Sequence, residues 1–179
     1  MKKLSLFLVA LFAFVATPLA AQSKGVATSA DPRATAAGAE ILAKGGSAAD
    51  AAMAMMLALT VVEPQSSGIG GGGFLVHYDA KGATISTING RETAPAAATP
   101  QRFTDAEGKP LPFLQAFPGG KSVGVPGNIS LMAEAHRKGG KLKWDEIFKP
   151  AIRLAEKGFV VNQTLDSRLD MIQRLWPQF

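Results

Sequence analysis

Five of the six residues from Gly68 to Gly73, in the run PQSSGIGGGGFL, are glycine. Inside a helix or strand each glycine costs about 0.5–1 kcal/mol relative to alanine, so this stretch is a loop that something approaches closely. Gly68-x-Gly70-x-x-Gly73 matches the dinucleotide fingerprint letter for letter. That fingerprint works only where a strand enters the loop and a helix leaves it, with the helix N-terminus facing the pyrophosphate. Here the order is reversed. Upstream, SAADAAMAMMLALTVV (47–62) predicts a helix with a Ser47/Asp50 capping box and a body of Ala, Met and Leu. Downstream, FLVHYD (74–79), the turn-like AKG and ATISTI (83–88) predict a hairpin. Glu92, at the distance of a ribose-binding acid, is then a coincidence. GGKS (119–122) resembles the end of a phosphate loop, but Gln115 stands where its first glycine belongs and VGVPG does not open a helix. Nucleotide binding is therefore set aside.

The first residues carry a different signal. Lys2 and Lys3 precede the apolar run LSLFLVALFAFVA (4–16), Thr17 and Pro18 break it, and small residues follow. The run is too short to cross about 30 Å of hydrocarbon. Residues 1–21 are read as a cleavable secretory leader, which places the rest in the periplasm or outside the cell. The formal charge of +5 falls once both leader lysines are removed, and the remaining cations are scattered, so no nucleic-acid footprint is present. With no cysteine, thiol catalysis, thiolate metal sites and disulfides are excluded. His77 and His136 stand far apart without ligand-like spacing, and no metal or cofactor is expected.

Along residues 22–179, GVAT (25–28) is β-prone. DPRATAAGAEILAKGG predicts a helix capped by Asp31, opened by Pro32 and ended at Gly45-Gly46. After the hairpin, NGRETAPAAATPQRF is a loop, and residues 105–127 form an irregular crossing rich in glycine and proline. A helix follows from Asn128 to Gly139-Gly140. Trp144, Ile147, Phe148, Ala151, Leu154 and Ala155 mark the apolar face of another, kinked at Pro150 and stopped at Gly158. A last amphipathic segment starts at Asn162 or Thr164. Its apolar side meets no later element, so the sequence reads as the N-terminal piece of something longer.

Ser66 and Ser67 fail the nucleophile-elbow pattern, since Pro64 and Gln65 stand two positions before them. They read as turn and capping hydroxyls, and the two histidines as surface or core residues. Arg91 is more informative. It follows a strand end, where a turn can aim a side chain into a cleft, and a guanidinium holds a carboxylate through two parallel charge-assisted bonds. A surface pair with Glu92 is the alternative, and the residues alone leave both open.

The runs ILAKGGSAADAAMAMMLALTVVEPQSSGIGGGGFLVHYDA, NGRETAPAAATP, PGGKSVGVPG and PAIRLAEKGFVV, in that order from Gly25 to about Leu169, resemble the gamma-glutamyltransferase (gamma-glutamyltranspeptidase) family. The resemblance implies an α+β fold, the N-terminal part of an αββα N-terminal-nucleophile hydrolase sandwich, truncated here. It also implies a precursor that cuts itself into large and small subunits. The small subunit's new N-terminal threonine attacks the gamma-glutamyl amide of glutathione and related compounds, and the acyl group passes to an amino acid, a peptide or water. A free α-amino group on that threonine can act as its base. By the same resemblance Arg91 holds the α-carboxylate of the gamma-glutamyl group, and the glycine loop is backbone packed against neighbouring core strands.

One departure is plain. The family's nucleophile lies in a threonine-rich motif, usually with a histidine just after it. Val76 and Ala135 precede the two histidines here, so no catalytic residue is expected in this chain and the nucleophile is expected beyond Phe179. A cephalosporin-acylase-type amidohydrolase of the same superfamily is the near alternative, and a non-catalytic periplasmic binding module the distant one.

Overall fold

The computed structural model describes residues 25–175, so the expected leader lies outside the described residues. The chain is mixed α and β. Helices α1 (Pro32–Ala43) and α2 (Ala48–Val62) come first, followed by strands β1 (Gly73–Asp79) and β2 (Thr84–Gly90). A 3-10 turn at Pro100–Phe103 and the one-turn helix α3 (Phe113–Ala116) interrupt the long crossing. Helices α4 (Asn128–Gly139), α5 (Trp144–Lys157) and α6 (Gln163–Leu175) complete it.

Local chemistry starts and stops the helices as expected. The Asp31 carboxylate accepts from the Arg33 backbone N–H, Pro32 occupies the first turn of α1, and Gly45 leaves it at φ +85°. The capping box at α2 is complete: Ser47 Oγ accepts from Asp50 N–H at 3.0 Å, and Asp50 Oδ2 accepts from Ser47 N–H at 2.9 Å. The same carboxylate oxygen accepts from the N–H groups of Lys141 and Leu142 at 2.9 and 3.2 Å. One buried acid thus fixes both the start of α2 and the connection from α4 to α5. Gly158 ends α5 at φ +71° and ψ 178°, a conformation essentially restricted to glycine.

α2 is apolar nearly all round, which suits a helix surrounded by others. Its alanines let α1 approach: Ala34, Ala37 and Ala58 form one buried cluster, and Ile41, Ala51 and Ala54 another. Met53 and Leu57 on its other side meet Leu131, Met132 and Ala135 of α4 and Ile147 and Ala151 of α5. The hairpin lies on this group. Its strands pair antiparallel with Gly73 opposite Gly90 and Val76 opposite Thr87. Leu75 and Ile88 pack inward, while Phe74, Val76, Tyr78 and Ile85 remain exposed on the other face. α6 buries Leu165 alone.

Two expectations need correction. Gly25–Thr28 forms no strand, because it runs along α1: a side-chain carbon at Gly25 would lie 3.2 Å from Leu42, and Ala27 reaches Gly38. The crossing is less irregular than expected, since Pro112 opens the one-turn helix α3 within it, and the loop before it ends in the 3-10 turn opened by Pro100. The helix expected to kink at Pro150 is the single element α5, with that proline buried inside it.

Burial raises the Asp50 carboxyl, but the N–H groups of Ser47, Lys141 and Leu142 outweigh it and hold the group below its ordinary value. The Arg33 guanidinium holds Asp31 below its own. A carboxyl depressed in the folded chain contributes stability that is present above its unfolded value, about 4, and lost as pH falls through the folded one. Unfolding free energy should therefore fall as the pH drops below about 4. Asp50→Asn should flatten that slope in denaturant titrations, and an unchanged slope would count against the assignment.

Candidate functional site

β2 ends at Gly90, and the chain turns at Arg91. Asn89 Oδ1 accepts from the Arg91 N–H at 3.0 Å, closing a side-chain-capped turn. Two residues on, Thr93 and Val125 exchange backbone hydrogen bonds of 3.3 and 2.9 Å, which joins NGRETAP to PGGKSVGVPG across the crossing. Behind the turn lies the start of α4. A side-chain carbon at Gly90 would sit 2.5 Å from Leu131 Cβ, and one at Gly127 would overlap the Gly90 carbonyl.

The glycine loop closes onto the same point. Gly127 and Asn128 N–H groups both donate to Gly71 O at 3.0 Å, and Asn128 Nδ2 donates to Gly68 O at 2.7 Å. A side-chain carbon at Gly72 would lie 2.7 Å from both Glu92 N and Gly90 O. Glycine is needed here because the Arg91 turn and the start of α4 press on the loop. Of the expected packing against core strands, the end of β2 is the part that takes place among the described residues, and Gly70 faces open space. Asn128 Oδ1 is buried with no hydrogen-bond partner among the described residues.

These contacts build one wall of an open cleft of about 480 Å³, lined by Arg91, Glu92, Thr99, Arg102, Lys121 and Ser122 among others. The Arg91 side chain is 69% exposed, and its Nε lies 3.3 Å from Glu92 Oε2. The pair with Glu92 and the position at a cleft therefore coexist. No hydrogen bond among the described residues occupies the two terminal nitrogens of Arg91, so its fork stays open to a carboxylate. Arg102 acts as a brace: its Nε donates to Lys121 O at 2.7 Å and its Nη2 to Gly120 O at 3.2 Å. Sequence reasoning missed Arg102 and Lys121, and its only cue was GGKS, set aside as a phosphate loop. Gly119 has φ +85° and the next long helix begins only at Asn128, in agreement with setting it aside.

The other candidates have structural places. Ser66 and Ser67 both donate their backbone N–H to Glu63 O, holding the turn after α2 through main chain rather than as caps. The His136 ring bonds Leu142 O at 2.8 Å and meets the Trp144 ring edge-on. His77 lines a small cavity under the hairpin with Leu75, Ser86 and Ile88. A second open cleft, of about 320 Å³, lies between α1 and α5. Its arginines are already paired, Arg153 with Glu40 and Arg33 with Asp31, while Lys157 has no ion pair among the described residues.

A family model, Gamma-glutamyltranspeptidase, matches residues 34–178. The chain is 46% identical over 141 residues to a glutathione hydrolase proenzyme of Bacillus subtilis (strain 168), covering 79% of this chain and 24% of that protein. It thus spans about a quarter of the length of that relative. The structure superimposes on the gamma-glutamyltranspeptidase of Helicobacter pylori with a TM-score of 0.82 at 35% identity, over 90% of this chain and 46% of that one. A cephalosporin acylase from Bacillus halodurans follows at a TM-score of 0.71 and 35% identity, over 81% of this chain and 26% of that one.

Proposed function

This chain belongs to the gamma-glutamyltranspeptidase family, and from that membership we propose that it forms the N-terminal part of an enzyme that transfers or hydrolyses gamma-glutamyl groups. Its donors are glutathione and other gamma-glutamyl compounds; its acceptors are amino acids, peptides or water. The observation that carries this is the family match over residues 34–178, which includes the G-R-E-T-A-P turn. Arg91 holds the donor's α-carboxylate, and its open fork at the cleft supports that role. The nucleophile is the N-terminal threonine of a small subunit cut from the same precursor, with its own α-amino group as base.

The exposed hairpin face supports the fuller architecture. Phe74, Val76, Tyr78 and Ile85 are 65%, 73%, 60% and 70% exposed. So much apolar surface on a two-stranded sheet calls for further strands and a covering layer, as an αββα sandwich supplies. The leader sends the protein to the periplasm or beyond. The likeness to a cephalosporin acylase keeps an amidohydrolase acting on a dicarboxylic acyl amide as the second reading. The matches named for glutathione hydrolase and gamma-glutamyltranspeptidase favour the first.

The test is expression of the natural gene, including whatever follows residue 179. Two subunits should appear on a gel, gamma-glutamyl-p-nitroanilide should be turned over, and the periplasmic large subunit should start about 21 residues in. The 179-residue chain alone should neither cut itself nor turn over that anilide. Hydrolysis of a glutaryl amide with no gamma-glutamyl turnover would favour the acylase. Absence of both activities would favour a binding module, and an uncleaved cytosolic product would overturn the export.

A further inference from the structure

The cleft that holds Arg91 carries more positive charge than one carboxylate needs. Arg91, Arg102 and Lys121 line it against the single acid Glu92. Of the three cations, Arg91 leans on Glu92 through Nε alone. Arg102 spends Nε and Nη2 on the carbonyls of Lys121 and Gly120. The Lys121 ammonium has neither an ion pair nor a hydrogen bond among the described residues.

The backbone that presents Lys121 is nonetheless held from two sides. Arg102 grips its carbonyl, and the Ser122 hydroxyl donates to the carbonyls of Phe117 and Gly119. Gly119, at φ +85°, makes the turn that puts Lys121 on the rim. The Thr93–Val125 pairing then sets this rim beside the Arg91 turn. A braced loop ending in an unpaired cation, in a cleft of ordinary ligand size, has the form of a recognition element. In the cleft between α1 and α5 both arginines are ion-paired, and its lysine, Lys157, closes a helix rather than standing on a braced loop.

Building on the gamma-glutamyl reading, we propose that Lys121 is a specificity-determining residue. It binds a second carboxylate on the donor, in the part that leaves beyond the scissile amide. Arg91 engages the α-carboxylate at one end of the substrate, the gamma-amide lies between, and an acidic leaving part reaches Lys121. A lysine suits this end because its ammonium is a point charge on a flexible stem and imposes no fork geometry. Leaving parts of different length are then accepted provided they end in an acid. The favoured donors are gamma-glutamyl peptides with a free C-terminal carboxylate, over neutral amides and anilides.

Three donors test this on the complete, processed enzyme: glutathione, glutathione with its glycine carboxylate converted to the carboxamide, and gamma-glutamyl-p-nitroanilide. Lys121→Met should raise KM for glutathione by about 5- to 20-fold, the range between an exposed ion pair and a charge-assisted bond in a partly desolvated cleft. KM for the carboxamide and the anilide should stay within about twofold, since neither meets the ammonium. Lys121→Arg should restore most of the preference. Rising salt should erode it in the wild type and leave Lys121→Met unaffected. Equal shifts on all three donors, or a wild type that does not distinguish glutathione from its carboxamide, would overturn the assignment. Turnover without a Lys121-dependent difference sinks this inference alone. No turnover of any donor sinks the gamma-glutamyl reading and this inference with it.

Discussion

Arg91→Gln in the processed enzyme is expected to lower kcat/KM for gamma-glutamyl donors by roughly 30- to 4,000-fold. Truncating one partner of a desolvated, hydrogen-bonded charge pair costs about 2–5 kcal/mol, and each 1.4 kcal/mol is about tenfold. On the proposed reading the α-carboxylate is remote from the bond that breaks and would be held alike in the ground and transition states. The loss should therefore appear chiefly in KM. Arg91→Lys keeps the charge and loses the fork, so it should fall between wild type and Gln.

Two controls separate this role from a surface pair. Self-cleavage should survive both substitutions, because the precursor's own peptide bond presents no free α-carboxylate to Arg91. If the arginine served only its contact with Glu92, 3.3 Å away and largely exposed, the effect on any quantity would be at most about 1 kcal/mol. Steady-state kinetics on the processed variants decide. A donor KM within about threefold of wild type with kcat intact would sink the carboxylate role.

What could be read from the sequence follows from the range of the interactions. Asp31-Pro32 and Ser47 with Asp50 announced the starts of α1 and α2, because a helix cap is chemistry within three residues. Gly158 announced the end of α5 in the same way. The second task of Asp50, accepting from Lys141 and Leu142 far along the chain, left no local mark. Arg91 could be recognised as a candidate from its strand-end position, but not the residues around it. The cleft forms where Thr93 pairs with Val125 and Arg102 holds the carbonyls of Gly120 and Lys121, and no spacing rule links those positions. For the same reason Lys121 stood in GGKS without a role once phosphate binding was set aside. The glycine loop was recognisable as a close approach. Its partner, the turn from Gly90 to Glu92 pressed against the start of α4, was set by tertiary packing alone.

That packing yields the second large effect, at a residue that touches no ligand. Gly127 has φ −123° and ψ −14°, a conformation open to any residue, so backbone freedom does not explain its glycine. Space does. A side-chain carbon there would overlap the Gly90 carbonyl oxygen, lie 2.7 Å from its carbon and 3.2 Å from Arg91 O. These are backbone atoms and do not swing aside as a side-chain tip would. Gly127→Ala must push the Gly90–Arg91 backbone away from α4 or shift the α4 start that holds Gly71 O and Gly68 O. Overpacking costs about 1–3 kcal/mol, and a clash with main chain on both sides belongs at the top of that range. The displaced Arg91 should also raise the donor KM, since a misplacement of about 1 Å can cost a hundredfold in a positioned site. A double-mutant cycle separates the two consequences. If Gly127→Ala acts on catalysis through Arg91, adding it to Arg91→Gln should lower kcat/KM by far less than it does in the wild type. The loss in denaturation midpoint should persist in both backgrounds. Fully multiplicative kinetic losses would show that Gly127 supports the fold without steering Arg91. An unchanged midpoint would refute the close contact between the two glycines.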